Sequence, residues 1–153
     1  MSVKALSENR KARFDYEIKE TIEAGIELRG FEVKSVKLGR MGIVGSHVIV
    51  RGGEAWLVNS QIPPYQQNNT PAGYDPSRTR RLLLHKKEIA HLVGSVKEKT
   101  VSLIPLRVVV KNGIVKLEIG LGRSRKKHDK RELLKKRATI REMRTEKENP
   151  SQK

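Results

Sequence analysis

The sequence predicts a mainly β protein, a small antiparallel barrel with two or three short helices and a basic C-terminal tail. Three observations predict it. Gly52-Gly53 and Asn112-Gly113 each separate two runs of apolar, β-branched residues. Such pairs suit the positive-φ positions of two-residue hairpin turns. The chain has 153 residues, 36% hydrophobic and 33% charged, enough for one modest core plus extensions. Finally, Arg123 to Arg144 holds eleven basic residues against three acidic ones, a composition that repels itself and looks for a polyanion.

Taken in order, residues 1–8 are small and polar and read as a disordered N-terminus. Asn9, Arg10, Lys11 and Arg13 lead into Phe14-Asp15-Tyr16-Glu17-Ile18, whose alternation is that of a half-buried strand. Gly25, further along the same pattern, suggests a bulge or a tight barrel bend. Gly30 to Gly39 suits a short helix plugging a barrel end, with strand as the alternative. Ser46–Arg51 and Glu54–Asn59 form the first hairpin, and Trp56 reads as a core residue. A loop rich in Pro, Asn, Gln and Gly runs from Ser60 to about Arg78, long enough to suggest function. Its Tyr65 and Tyr74, close to Arg78, Arg80 and Arg81, suit RNA contacts or packing on the barrel. Leu82 to Val93 reads as a helix ending at Gly94. Val101–Lys111 and Val115–Leu121 form the second hairpin, with Pro105 at an edge or bend. In the tail, Asp129 and Glu132 have capping-box spacing, so residues 123–153 read as mobile when free and helical when bound. Residues 9–122 would then be the barrel, and an oligonucleotide-binding (OB) type is the natural expectation for a basic chain of this size.

Charge narrows the function. A net charge of +16 favours an anionic partner, and nucleic acid is the commonest. With no cysteine, thiolate metal sites and disulfides are excluded. The N-terminus lacks a continuous apolar segment and nothing approaches a membrane span, which favours the cytoplasm. No P-loop, G-x-S-x-G or H-E-x-x-H occurs. His47, His85, His91 and His128 have no ligand spacing. The expectation is a binding protein with no cofactor, no metal and no catalytic residue.

Four stretches in series carry a resemblance: Asn9-Arg10-Lys11-Ala12-Arg13-Phe14-Asp15-Tyr16; Glu23-Ala24-Gly25-Ile26-Glu27-Leu28 with Gly30-Phe31-Glu32-Val33-Lys34-Ser35; Asp75-Pro76-Ser77-Arg78-Thr79-Arg80-Arg81-Leu82-Leu83-Leu84-His85-Lys86; and His128-Asp129-Lys130-Arg131-Glu132. Together they resemble the SsrA-binding protein (small protein B) family over nearly the whole chain. Gly73-Tyr74 stand where that family usually has Asn-His, and Ser124-Arg125-Lys126 where it has Gly-Lys-Lys. The resemblance implies an OB-like barrel that binds the tRNA-like domain of tmRNA. It would enter the A site of stalled ribosomes with elongation factor Tu and GTP, for trans-translation. It implies tmRNA contacts at Asn9, Arg10, Lys11, Arg13, Glu32, Lys34, Arg78 and Arg80. Glu32 would either bond to base or ribose donors or form an ion pair with Lys34 or Arg29. In the tail it implies contacts with small-subunit RNA, at the decoding centre and in the empty mRNA channel, by Lys126, Lys127, His128, Asp129, Lys130, Arg131, Lys135, Lys136 and Arg137. His128 would stack on a base. The competing readings are a small basic ribosomal or general structured-RNA-binding protein, and a metal-dependent nuclease.

Overall fold

The computed structural model describes residues 3–148; Met1, Ser2 and residues 149–153 lie outside the described residues. In chain order the elements are β1 (Val3–Glu8), α1 (Arg10–Asp15), β2 (Tyr16–Ile26), α2 (Gly30–Lys37), β3 (His47–Arg51) and β4 (Glu54–Val58). After a 3₁₀ turn at Gln67–Asn69 come β5 (Arg80–Leu83), α3 (Lys86–Val96), β6 (Ser102–Lys111), β7 (Ile114–Ser124) and α4 (Lys127–Glu148). The strands form one seven-stranded antiparallel sheet in the order β1-β6-β7-β2-β5-β4-β3. The sheet curls until β3 lies beside β6, and Val48 and Val108 join one core with Leu57, Leu82, Leu117 and Ile119. No ladder joins those two strands, so the OB-like barrel stays open along that seam.

Both hairpins form as the turn chemistry requires. Gly52, Gly53, Asn112 and Gly113 all have positive φ, the type I′ condition that Asn and Gly meet at least cost. The helix reading holds for α2, whose buried face is Glu32, Ser35 and Val36. Pro105 lies at a bulge of β6, where the register against β7 shifts between Pro105 and Arg107.

Several expectations need correction. Residues 3–8 of the supposedly disordered N-terminus form β1, paired with β6 from Val3 opposite Lys111 to Glu8 opposite Arg107. A strand this short carries little signal of its own, and its partner lies about a hundred residues away. Phe14 and Asp15 belong to α1 rather than to a strand, because Asn9 caps a helical turn ahead of β2. The bulge in β2 falls between Ile18 and Glu20. Gly25 instead permits close approach, since a Cβ there would lie 3.2 Å from Leu83 Cβ. Leu82 and Leu83 lie in β5, and α3 continues through Gly94 to Val96. Trp56 is only partly buried, lies outside the core clusters, and donates its indole N–H to Arg51 O at 3.3 Å. Arg123 and Ser124 still belong to β7, so the tail begins after them. Finally, the tail forms the helix α4 from Lys127, and Lys130 in its first turn meets Asp15 of α1.

Candidate nucleic-acid interface

Asn9 ends β1 and starts α1, and its position follows from what it bonds. Its Oδ1 accepts from Ala12 N–H at 3.1 Å, capping α1, and its Nδ2 donates to Pro105 O at 3.0 Å. Its own N–H donates to Leu106 O at 2.8 Å. Such caps satisfy helix amides that otherwise lack partners. Asn9 is buried, so it builds α1 rather than touching a partner. Arg10 and Lys11 emerge from the capped turn into solvent; the Arg10 side chain is 90% exposed and only loosely near Glu8, at 3.5 Å. Arg13 is spent on Glu118 at 3.1 Å, a carboxylate that Arg107 also reaches at 2.8 Å.

Glu32 and Arg80 are likewise structural, and both are 0% exposed. Glu32 Oε2 accepts from Arg80 Nη2 at 2.7 Å and Nε at 3.0 Å, from Arg78 Nε at 3.2 Å, and from the Tyr74 hydroxyl at 3.1 Å. Its Oε1 accepts from Arg29 N–H at 2.9 Å, which caps α2, and from Arg78 Nη2. Arg80 is saturated by Ser60 Oγ at 3.0 Å, Arg78 O at 3.0 Å and Pro76 O at 2.9 Å. Burial alone would raise the Glu32 pKa, but the bonds from Arg78, the Arg29 amide and Arg80 outweigh it and hold the carboxyl down at about 2. The cluster ties the 60–78 loop to α2. Glu32 therefore forms an ion pair as one reading expected, but with Arg78 and Arg80 in place of Lys34 or Arg29. Lys34 remains exposed, its Nζ 5.6 Å from the Tyr65 ring centroid, and Arg78 keeps a quarter of its side chain in solvent.

Sequence reasoning missed Tyr74 as a member of this cluster. The hydroxyl shares its one proton between Glu32 and Ile62 O, the latter at 2.7 Å, and the ring meets Phe31 edge-on, 4.8 Å between centroids. The signal was present, since Tyr74 stands at a departure from the family pattern just before Asp75-Pro76.

The tail supplies a second cationic surface. Asp129 is not the N-cap that its spacing to Glu132 suggests: α4 begins at Lys127, and Asp129, in its first turn, reaches back to accept from Lys126 N–H at 3.3 Å. The helix has 22 residues, about 33 Å at 1.5 Å per residue. Lys126, Lys127, His128, Arg131, Lys135, Lys136 and Arg137 are all exposed, whereas Lys130 is half-buried against α1. Among the described residues, no group of three or more His, Cys, Asp or Glu could hold a metal ion, and no helix is long and apolar enough to cross a membrane.

Known proteins share this fold. The SmpB protein family model matches residues 6–149. This chain belongs to that family. It is 51% identical over 142 residues to an SsrA-binding protein of Thermosynechococcus vestitus (strain NIES-2133 / IAM M-273 / BP-1), covering 93% of each chain. It is 50% identical over 140 residues to one of Gloeothece citriformis (strain PCC 7424), covering 92% of this chain and 90% of the relative. A solved structure described as "tmRNA-SmpB: a journey to the center of the bacterial ribosome" superposes with a TM-score of 0.65 at 43% identity, over 83% of this chain and 92% of that one. As an SmpB family member, this chain differs from the usual motif at Gly73-Tyr74.

Proposed function

We propose that this chain binds the tRNA-like domain of tmRNA and brings it to the A site of stalled ribosomes, where α4 enters the vacant mRNA channel. The observation that carries the reading is the separation of charge. In the barrel, Glu17, Glu20, Glu23, Glu32, Glu54 and Glu118 are each engaged by a basic side chain. Arg10, Lys11, Lys34 and, on α4, Lys127, Arg131, Lys135 and Lys136 stand out into solvent. RNA backbones are held by such cations, and structured RNA is read largely through shape and phosphate. In this reading Arg10, Lys11, Lys34 and the exposed edge of Arg78 face the tRNA-like domain, while Asn9, Glu32 and Arg80 shape the surface from beneath. Lys126, Lys127, Arg131, Lys135, Lys136 and Arg137 meet small-subunit RNA, and His128 stacks on a base in the decoding centre. Elongation factor Tu with GTP accompanies the aminoacylated tmRNA, and the work takes place in the cytoplasm.

A gel-shift titration tests this with the full chain and a truncation after Lys126, which keeps β7 whole. The ligands are a tmRNA tRNA-like domain, an ordinary tRNA and an unstructured RNA, each over a salt series. Both proteins should prefer the tRNA-like domain, and loss of α4 should lower mainly the salt slope. Loss of preference, or of all binding, with the tail would leave a general basic RNA binder of the ribosomal-protein type.

A further inference from the structure

One carboxylate of the barrel serves two arginines. Glu118 lies in β7, in register with Arg107 of β6 on one side and Glu23 of β2 on the other. Its Oε2 accepts from Arg107 Nε at 2.8 Å, and its Oε1 from Arg13 Nη2 at 3.1 Å. Arg81 has the opposite ratio, since Glu54 meets it at 3.0 and 3.1 Å and Glu27 at 3.5 Å. Two cations on one carboxylate leave the Glu118 group positive. Glu118 is only 18% exposed, whereas Arg13 and Arg107 keep 48% and 37% of their side chains in solvent. Each guanidinium carries five N–H donors, and among the described residues no other acceptor meets either one. The surroundings add to the charge. Glu23 is taken up by Lys111, and Lys116 precedes Glu118 by two residues on the same face of β7.

We infer that Arg13 and Arg107, spaced by Glu118, form a fork that grips one backbone phosphate of the RNA. The inference rests on the reading of α1 as an RNA-facing helix and deepens it. Guanidiniums hold phosphate oxygens through paired N–H bonds. Two of them side by side repel each other, and the shared carboxylate offsets that repulsion. It also orders both side chains beforehand, so less rotamer freedom is lost when the phosphate arrives. The fold places each arm separately. Ala12 packs on Ile104 and Leu106, which seats α1 on β6 with Arg13 in its last turn. The β6 bulge between Pro105 and Arg107 then brings Arg107 to the same outer face. Arg107 is a binding residue in this account, and Glu118 a positioning residue that acts through both arginines.

Gel-shift titrations over a salt series test the fork, using the full chain with a tRNA-like domain, an ordinary tRNA and an unstructured RNA. Thermal melts verify that each variant is folded at the assay temperature. Arg107→Gln should weaken binding of the tRNA-like domain about tenfold and lower the salt slope by about one. Its cost on the unstructured RNA should be smaller. Arg107→Lys keeps the charge without the planar fork, so the slope should stay while affinity falls. Glu118→Gln decides the positioning role by its sign. It makes the protein more positive, so general attraction predicts tighter binding, whereas the fork predicts weaker binding. Unchanged affinity in Arg107→Gln, parental affinity in Arg107→Lys, or equal losses on the tRNA-like domain and the unstructured RNA overturns the fork. Unchanged or tighter binding by Glu118→Gln overturns the role of the carboxylate. Should Glu118→Gln fail to fold, Arg13→Gln and Arg107→Gln are compared singly and together. Their losses must fall short of additive, because one phosphate is shared, and additive losses overturn the inference. A parent that does not prefer the tRNA-like domain to ordinary tRNA defeats the functional reading alone, since the comparison with unstructured RNA still reports on the fork.

Discussion

Glu32→Gln keeps the shape of the buried side chain and removes its charge, leaving the Arg78 and Arg80 guanidiniums without their counter-ion. The carboxyl is held at about 2 against an ordinary 4.5. That gap of roughly 2.5 units, at 1.36 kcal/mol each, corresponds to about 3 kcal/mol of stability. The figure agrees with the cost of about 3–5 kcal/mol for breaking a buried ion pair by removing one partner. A depressed acid contributes stability that is fully present above its unfolded pKa and is lost as pH falls toward the folded one. The contribution should therefore be complete at pH 7, begin to fall near 4.5, and be reduced to about 1 kcal/mol at pH 3. Urea unfolding of both proteins at pH 7, 5, 4 and 3 measures it, because the other carboxylates titrate alike in each. The difference between the two proteins should shrink steadily below pH 4.5. A difference that stays constant from pH 5 to pH 3, or one under 1 kcal/mol at pH 7, would refute the argument that charge holds this cluster together.

Other substitutions separate scaffold from surface. Asn9→Ala should lower stability by about 1 kcal/mol through loss of the α1 cap, with further loss at the Pro105 carbonyl. Its affinity for the tRNA-like domain, measured where the variant is fully folded, should stay near that of the parent. Gly122→Ala should cost about 1–3 kcal/mol by thermal unfolding, since its Cβ would lie 3.0 Å from the Glu17 carbonyl carbon and 3.1 Å from Ile18 Cα, backbone atoms that no rotamer change can clear. Replacing Asp129, Lys130 and Arg131 together by alanine should leave tmRNA gel shifts nearly unchanged and abolish tagging of stalled chains. Lost tmRNA binding in that variant would refute the division of labour between barrel and tail.

Features specified by neighbouring residues were legible in the sequence. Gly52-Gly53 and Asn112-Gly113 announce their turns because positive φ is a local demand; Phe31, Val33, Val36 and Leu38 before Gly39 suggest the short helix α2, though the face it buries is Glu32, Ser35 and Val36. What escaped depends on partners distant in the chain. The alternation of Phe14, Tyr16 and Ile18 suggests a strand, yet a single Asn cap turns its first residues into a helix. In the run from Arg80 to Val96 the strand β5 occupies four residues, too few for its period to show against the helix that follows. Glu32 has two cations nearby in sequence, Arg29 and Lys34, and uses neither side chain. Arg78 and Arg80, 46 and 48 positions on, reach it only once β5 is in place. The exposed tail cations were readable as such, because exposure is what an unbroken basic run implies.

The staple between the two halves of the chain also sets a timetable. Asn9 can cap α1 without help, but its bonds to Pro105 and Leu106 span 96 and 97 positions, and among the described residues β1 has no ladder partner except β6. During synthesis the cations of α1 emerge well before β6 and wait unsupported until it has been made. Contacts between such distant segments form late and slowly. The RNA-facing helix is thus completed only when nearly the whole barrel exists. A growing chain, still on the ribosome that makes it, would offer the cations of α1 to nearby RNA only in an unshaped form.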